Sequence, residues 1–229
     1  MRNEHLDEMR IPLPTLEEQR RIAEVLDRAE ALRAKRRAAL AQLDTLTQSI
    51  FLDLFGDPAR NPNGWPVHLL QEVMRQGTIV TYGIVQAGEE YPAGVPYIRT
   101  GDIVDGEIVQ PGLRHTDPAI AARFHRSRVE AGEIVISIRA TVGTTAVVPP
   151  DLDGANLTQG TARIAPGSRV DRTYLLYYLR TSGTQHWISL QIKGATFREI
   201  TLSRLRELRR RTRILIFRCG NSKFRTLQA

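Results

Sequence analysis

The sequence predicts an α+β protein, a mixed α/β domain joined to a long N-terminal helix that forms a coiled coil. Three observations predict it. No Gly or Pro occurs from Thr15 to Leu54, and such an interruption-free run is how a long helix reads. After Phe55 the eleven residues Gly56-Asp57-Pro58-Ala59-Arg60-Asn61-Pro62-Asn63-Gly64-Trp65-Pro66 are dense in turn formers. Beyond them, short β-branched runs punctuated by Gly and Pro recur to about residue 200, as strands and turns require.

The helix is expected over residues 15–56. Thr15-Leu16-Glu17-Glu18 reads as a capping box, with Pro12 and Pro14 placed where they cannot break the helix. Forty helical residues would span about 60 Å, several turns beyond an ordinary globular helix. Val25, Ala29, Leu32, Ala39, Leu43, Leu46 and Ile50 recur at spacings of four and three, with Arg36 as the single break in the seam. That is a coiled-coil period. A seam of this length exceeds what one small domain covers, so a partner helix is expected.

Residues 57–66 are read as a linker and residues 67–208 as one domain. Strands are expected at Thr78–Tyr82, Val95–Arg99, Glu133–Ile138 and Thr145–Val148. Helices are expected at Arg172–Arg180 and, after Thr201 as N-cap, at Leu202–Leu208. Residues 1–14 stand before the long helix, and residues 209–229 form an atypical basic tail.

The net charge is +7, but its location matters. Residues 204–229 hold nine Lys or Arg against one Glu, a net +8, and the remainder of the chain is −1. Basicity therefore belongs to the tail and does not by itself mark the body as nucleic-acid binding. The single Cys219 excludes an internal disulfide and a Cys-x-x-Cys knuckle. There is no run of eighteen apolar residues and no apolar segment after the N-terminus, so neither a membrane span nor a signal peptide is expected and a cytoplasmic protein is.

Motifs for chemistry are missing. The stretch Gly154–Gly160 lacks the lysine of a phosphate-binding loop. No Gly-x-Ser-x-Gly elbow occurs, and the five histidines show no zinc-ligand spacing. No catalytic or metal-ligating residue is assigned.

Several segments instead offer groups suited to base edges and phosphates. Tyr82 to Gly88 is a glycine-flanked loop in which Gln86 can pair with adenine through two bonds. Arg99 and Thr100 follow a strand, and Arg139 and Thr141 repeat that arrangement. Asn156, Thr158 and Gln159 form a cluster of neutral donors and acceptors. Lys193 and Thr196 lie in a basic loop able to grip phosphate.

These residues together resemble a known family. Ile11-Pro12-Leu13-Pro14-Thr15-Leu16-Glu17-Glu18-Gln19-Arg20-Arg21-Ile22-Ala23 is similar to the start of the conserved helix of type I restriction-modification specificity subunits. Leu46 to Pro58, then Gly64-Trp65, resemble the end of that helix and the approach to a target recognition domain. Blocks from Tyr82 to Gln86, Gly94 to Ile103, Gly132 to Gly143, Gly154 to Ile164 and Gln191 to Leu208 resemble that domain itself. The resemblance implies a partial specificity subunit, with one conserved helix and one recognition domain that reads one half of a split double-stranded DNA site.

It also implies docking to the methyltransferase (M) subunit, with the restriction (R) subunit as a further partner and an antiparallel homodimer as an alternative mate for the helix. S-adenosylmethionine, ATP and Mg would sit on the partner subunits, with no cofactor in this chain. Two departures accompany the resemblance. By this resemblance, residues 1–14 are expected to be a remnant of a preceding recognition domain, and residues 210–229 do not read as the Pro-capped second helix expected after Arg209. The tail is expected to be out-of-frame translation or a recombination scar. The alternative is a fragment that keeps the helix without reading DNA, or an inactive gene remnant.

Overall fold

The computed structural model describes residues 12–58, 60–194, 198–208 and 214–215, without the side chains of Asp44, Ile214 and Leu215. Thr196, the segment 1–11 and nearly all of the 209–229 tail, Cys219 included, lie outside the described residues. The chain divides into two units, Met1–Ser49 and Ile50–Ala229.

Among the described residues, the first unit is a single element. Helix α1 runs Leu16–Phe55, and its first turn is closed by the predicted box. The Thr15 hydroxyl accepts from the Glu18 backbone N–H at 3.3 Å, and Glu18 Oε2 accepts from the Thr15 N–H at 3.3 Å. All seven predicted seam residues are exposed, Leu32 by 67%. Ile22, Leu26 and Leu40, which the seam reading omits, are exposed beside them and widen the apolar stripe.

The second unit begins with the last turn of that helix, earlier than the Gly56 punctuation suggests. The reason is Phe51, which is buried and stacks on Tyr174 at 5.3 Å while Phe55 meets the same ring edge-on at 5.0 Å. The expected linker 57–66 is likewise an ordered cap. Gly56, at φ +76°, turns the chain, and the Phe55 carbonyl accepts from Asn63 Nδ2 at 3.2 Å and from the Trp65 indole at 3.3 Å. Those donors satisfy a carbonyl that a helix end otherwise leaves open.

The remaining elements are β1 (Val67–His68), β2 (Thr81–Tyr82), β3 (Val95–Ile98), β4 (Ile103–Val104), β5 (Glu107–Ile108), β6 (Arg114–Thr116), α2 (Pro118–Arg123), β7 (Ile134–Ser137), β8 (Thr145–Val147), β9 (Asn156–Leu157), β10 (Thr161–Ile164), α3 (Arg172–Arg180), α4 (Ser182–Gln191), α5 (Leu202–Arg206) and β11 (Ile214–Leu215). The predicted α3 and the four predicted strand sites are present, the strands shorter than expected. The helices α2 and α4 and the strands β4, β5, β6, β9 and β10 are additions to the sequence reading. Within the tail, the β11 backbone pairs antiparallel with β1, Leu215 opposite Val67.

Four strands form an antiparallel sheet in the order β2-β10-β7-β8. Its two faces bury different cores, as the period-two alternation of a strand dictates. Ile134, Ile136, Ala162 and Ile164 face the larger core with Leu175, Leu179, Ile188 and the anchoring Phe51. Val135 and Ala146 face the smaller core with Ile98, Leu157 and Val148. A second sheet, β6-β3-β9, closes that smaller core, with β3 and β9 parallel.

One charged cluster lies within this fold. Arg163 on β10 bonds Glu133 through both Nε and Nη2 at 2.7 Å, and Arg75 bridges Glu133 at 2.7 Å and Glu130 at 2.7 and 2.8 Å. The hydrogen bond from Arg75 holds the Glu130 carboxyl below its usual range, and the same bond raises the Arg75 guanidinium. Among the described residues no group of three His, Cys, Asp or Glu is placed to hold a metal, and no helix is long and apolar enough to cross a membrane.

Candidate nucleic-acid interface

Three loops far apart in sequence meet on the backbone between β9 and β10, and a fourth joins them through the third. The N–H groups of Gly83 and Ile84 donate to the carbonyls of Thr158 at 3.1 Å and Leu157 at 2.6 Å, and Gln159 N–H donates back to Ile84 at 3.0 Å. From the second loop, the Ile98 carbonyl accepts from the Thr158 N–H at 3.2 Å and the Thr161 hydroxyl at 3.1 Å. From the third, Ile138 N–H donates to Gly160 at 2.8 Å. The fourth loop joins through the third, since Ala140 N–H reaches the Arg198 carbonyl at 3.2 Å and Lys193 and Glu199 exchange bonds of 2.9 and 3.1 Å.

Glycine is required at one contact. A Cβ on Gly83 would overlap the Leu157 carbonyl, so only a residue without one lets the first loop approach this closely. The third loop turns at Ala140, a non-glycine at φ +54°, a conformation that L-residues adopt at a cost.

The predicted residues fall into three groups. Tyr82, Gln86, Thr141 and Lys193 are exposed with side chains turned to solvent. Arg99, Thr100, Thr158 and Gln159 are half-buried, and Arg139 is exposed, but most of these already have internal partners. Asp102 accepts from Arg99 at the backbone N–H, Nε and Nη2, at 2.7, 3.0 and 2.7 Å, and this hydrogen-bonded contact raises the guanidinium pKa further. Arg139 Nε donates to Glu199 at 2.9 Å. The Thr158 hydroxyl lies 3.5 Å from the Ile98 carbonyl. In the amide orientation that suits its neighbours, Gln159 donates to the carbonyls of Ile84 at 2.7 Å and Val85 at 2.9 Å.

Asn156 forms the third group. The sequence reading places it on the reading surface, but it is 1% exposed. Its Oδ1 accepts from Ser127 Oγ at 2.6 Å and its Nδ2 donates to the Ala121 carbonyl at 3.1 Å. A strand residue whose amide is satisfied inside a core cannot meet a base edge. Asn156 is therefore removed from the reading set, and the tenth of those residues that the structure describes becomes an internal bracket.

That bracket leads to a segment the sequence reading leaves out. Asn156 ties β9 to α2 and to the short 3-10 turn His125–Ser127, and that turn also packs on β2. The Thr116 hydroxyl donates to the Ala87 carbonyl at 2.6 Å, and Ile120 lies against Gly88. Residues 116–128 thus flank the first reading loop. The run Arg123-Phe124-His125-Arg126-Ser127-Arg128 holds three arginines and no acid, and this composition was the signal that could have found it.

No protein-family model matches the chain. Among curated proteins, it is 27% identical over 227 residues to the type I restriction enzyme EcoBI specificity subunit of Escherichia coli, covering 88% of this chain and 47% of that one. Among solved structures, the HsdS subunit from Thermoanaerobacter tengcongensis matches 86% of this chain and 50% of its own at 26% identity and a TM-score of 0.50.

The chain is a relative of type I specificity subunits.

A further solved chain, from work on complex assembly and conformational transition of the type I R-M system, matches at 27% identity and a TM-score of 0.55, covering 86% of this chain and 47% of that one. Like those specificity subunits, the chain joins a long helix to a mixed helix-and-sheet domain. It spans about half the length of the curated specificity subunit it matches.

Proposed function

We propose that the chain reads one half of a split double-stranded DNA site and delivers that reading to a methyltransferase subunit docked on α1. The observation that carries the proposal is the convergence of three distant loops on Thr158–Gly160, with a fourth joined through the third, since these are the loops that carry the predicted Tyr82, Gln86, Thr100, Thr141 and Lys193. Base edges are distinguished in the major groove by paired donors and acceptors. Gln86 carries both, is exposed, and stands on a loop fixed at its base by backbone bonds.

Catalysis is absent from the proposal. Methyl transfer, cleavage and translocation belong to M and R subunits, which hold S-adenosylmethionine, ATP and Mg. On α1 the exposed seam from Val25 to Ile50 is the docking face, because apolar side chains at heptad spacing are stabilised by burial against another helix. A second antiparallel copy is the alternative occupant of the same face. A fragment that docks without reading DNA is the second functional reading, favoured by the internal pairing of Arg99 and Arg139.

Co-purification with a cognate methyltransferase subunit followed by mapping of methylated sites tests both halves. Gln86→Ala is expected to relax or change the methylated sequence while co-purification persists. An unchanged site with Gln86→Ala removes the first loop from the reading surface. Co-purification without any sequence-selective methylation favours the docking-only reading.

A further inference from the structure

We infer that the strip Arg123–Arg128 grips the DNA phosphates beside the reading loops, with Arg123 and Arg126 as the contacting cations. The inference rests on the DNA-reading proposal above and adds to it which cations hold the backbone. Binding to a polyanion needs cations that are exposed and uncommitted, since each phosphate neutralised releases counterions. The loop arginines are poor candidates on that ground. Arg99 is clamped by Asp102 through both Nε and Nη2, and Arg139 is paired with Glu199.

The strip is different. Arg123, Arg126 and Arg128 are exposed, and among the described residues none has an ion-pair partner. The nearest carboxylates in sequence are already engaged. Asp117 caps α2 by accepting from the Ala119 N–H at 2.7 Å, and Glu130 is held by Arg75. Arg128 lies over the Gly154 turn, which leaves Arg123, the last residue of α2, and Arg126, within the 3-10 turn that follows it, as the exposed cations of the strip.

Position supplies the second argument. The strip is tied to β9 through the hydrogen bond from Ser127 to Asn156, and the segment that leads into it is tied to β9 and to the first reading loop through Asn156 to Ala121, Thr116 to Ala87 and the contact of Ile120 with Gly88. Its turn packs on β2, whose Tyr82 is exposed. Phosphate contacts fix register and orientation while base contacts carry sequence. A cationic strip rigidly joined to the base-reading loop would set how that loop meets the groove.

The test measures binding of the full chain to a random-sequence duplex of about 40 base pairs, where affinity is set by phosphate contacts alone, across a salt series. For R123A/R126A the log–log salt slope is expected to fall by about 2 relative to the unaltered chain, near 0.9 for each lost contact. R123K/R126K is expected to keep the slope, because lysine still neutralises a phosphate. R169A/R172A removes equal charge from exposed positions beyond the far end of β10 and is expected to leave it unchanged.

An unchanged slope for R123A/R126A, with unfolding midpoint intact, overturns the inference. So does an equal fall for R169A/R172A, which would make the effect one of net charge. Should the slope fall as expected while a selection experiment finds no preferred sequence, the phosphate strip stands and the sequence-reading proposal is the one that fails.

Discussion

The apolar side chains of α1 and those of β7 carry the same chemistry and meet opposite fates. Ile134 and Ile136 are 0% exposed, one face of a strand with a core on each side, whereas Leu32 is 67% exposed on a helix. The strand's residues complete a domain that buries its own apolar surface. The seam residues of the helix from Val25 to Leu46 are exposed among the described residues of the first unit. The difference teaches that the domain buries its own apolar surface, while the seam residues of the helix are left exposed. One helix contains both situations, because Phe51 is buried one turn beyond the exposed Leu46.

Substitutions along that helix are the sharpest way to break the comparison. Phe51→Ala is expected to cost about 4 kcal/mol in unfolding free energy, the range for emptying a buried aromatic site. It would be read by urea denaturation, and a loss under about 1 kcal/mol would show that the anchor is dispensable. Next in size, Arg163→Leu leaves Glu133 with Arg75 as its remaining cationic partner. Breaking a buried pair by one partner costs about 3 kcal/mol here, the low end of the range because that second arginine remains. A neutral result would mean that the cluster confers no net stability.

The pH effect is smaller. Arg75 holds Glu130 below its usual carboxylate range in the folded chain. Its contribution is therefore fully present above the unfolded value and is lost as pH falls through the lower folded value. Glu130 is more than half exposed, so the loss stays under about 1 kcal/mol. Urea midpoints at pH 7 and pH 3.5 should differ less for Arg75→Met than for the unaltered chain, and equal differences would sink the assignment. Smallest of all, Leu32→Ala with Leu43→Ala should move the isolated chain's stability by no more than about 0.5 kcal/mol. The same pair is expected to abolish co-purification with the methyltransferase subunit. A large stability loss in isolation would mean that the seam is already covered.

Much of the architecture was readable in advance, and the failures have physical causes. Thr15 and Glu18 announce the start of α1 because a capping box is a local device, complete within four residues. The bounds of α3 follow from a local amphipathic pattern in the same way. Helix α4 is hidden because Thr181 ends α3 and caps α4 at once, so Thr181-Ser182-Gly183-Thr184 reads as a turn. The Asp105-Gly106 turn of the β4–β5 hairpin, with both residues at positive φ, is a signal the sequence does carry, though its two-residue strands are too short to show alternation. Strand β9 escapes notice for a similar reason, since its parallel partner β3 lies some sixty residues away.

For the candidate interface, residue type was legible and availability was not. The sequence by itself determined the long uninterrupted helix, its apolar period, the turn-rich boundary after Phe55 and the kinds of side chain that the loops carry, because each is set by neighbours within a few positions. Only the tertiary structure decided that three loops meet on Thr158–Gly160, that Asn156 faces inward, and that Glu199 occupies Arg139. Those outcomes depend on hydrogen bonds and ion pairs between segments up to sixty residues and more apart, and no local pattern records which distant partner a side chain will find.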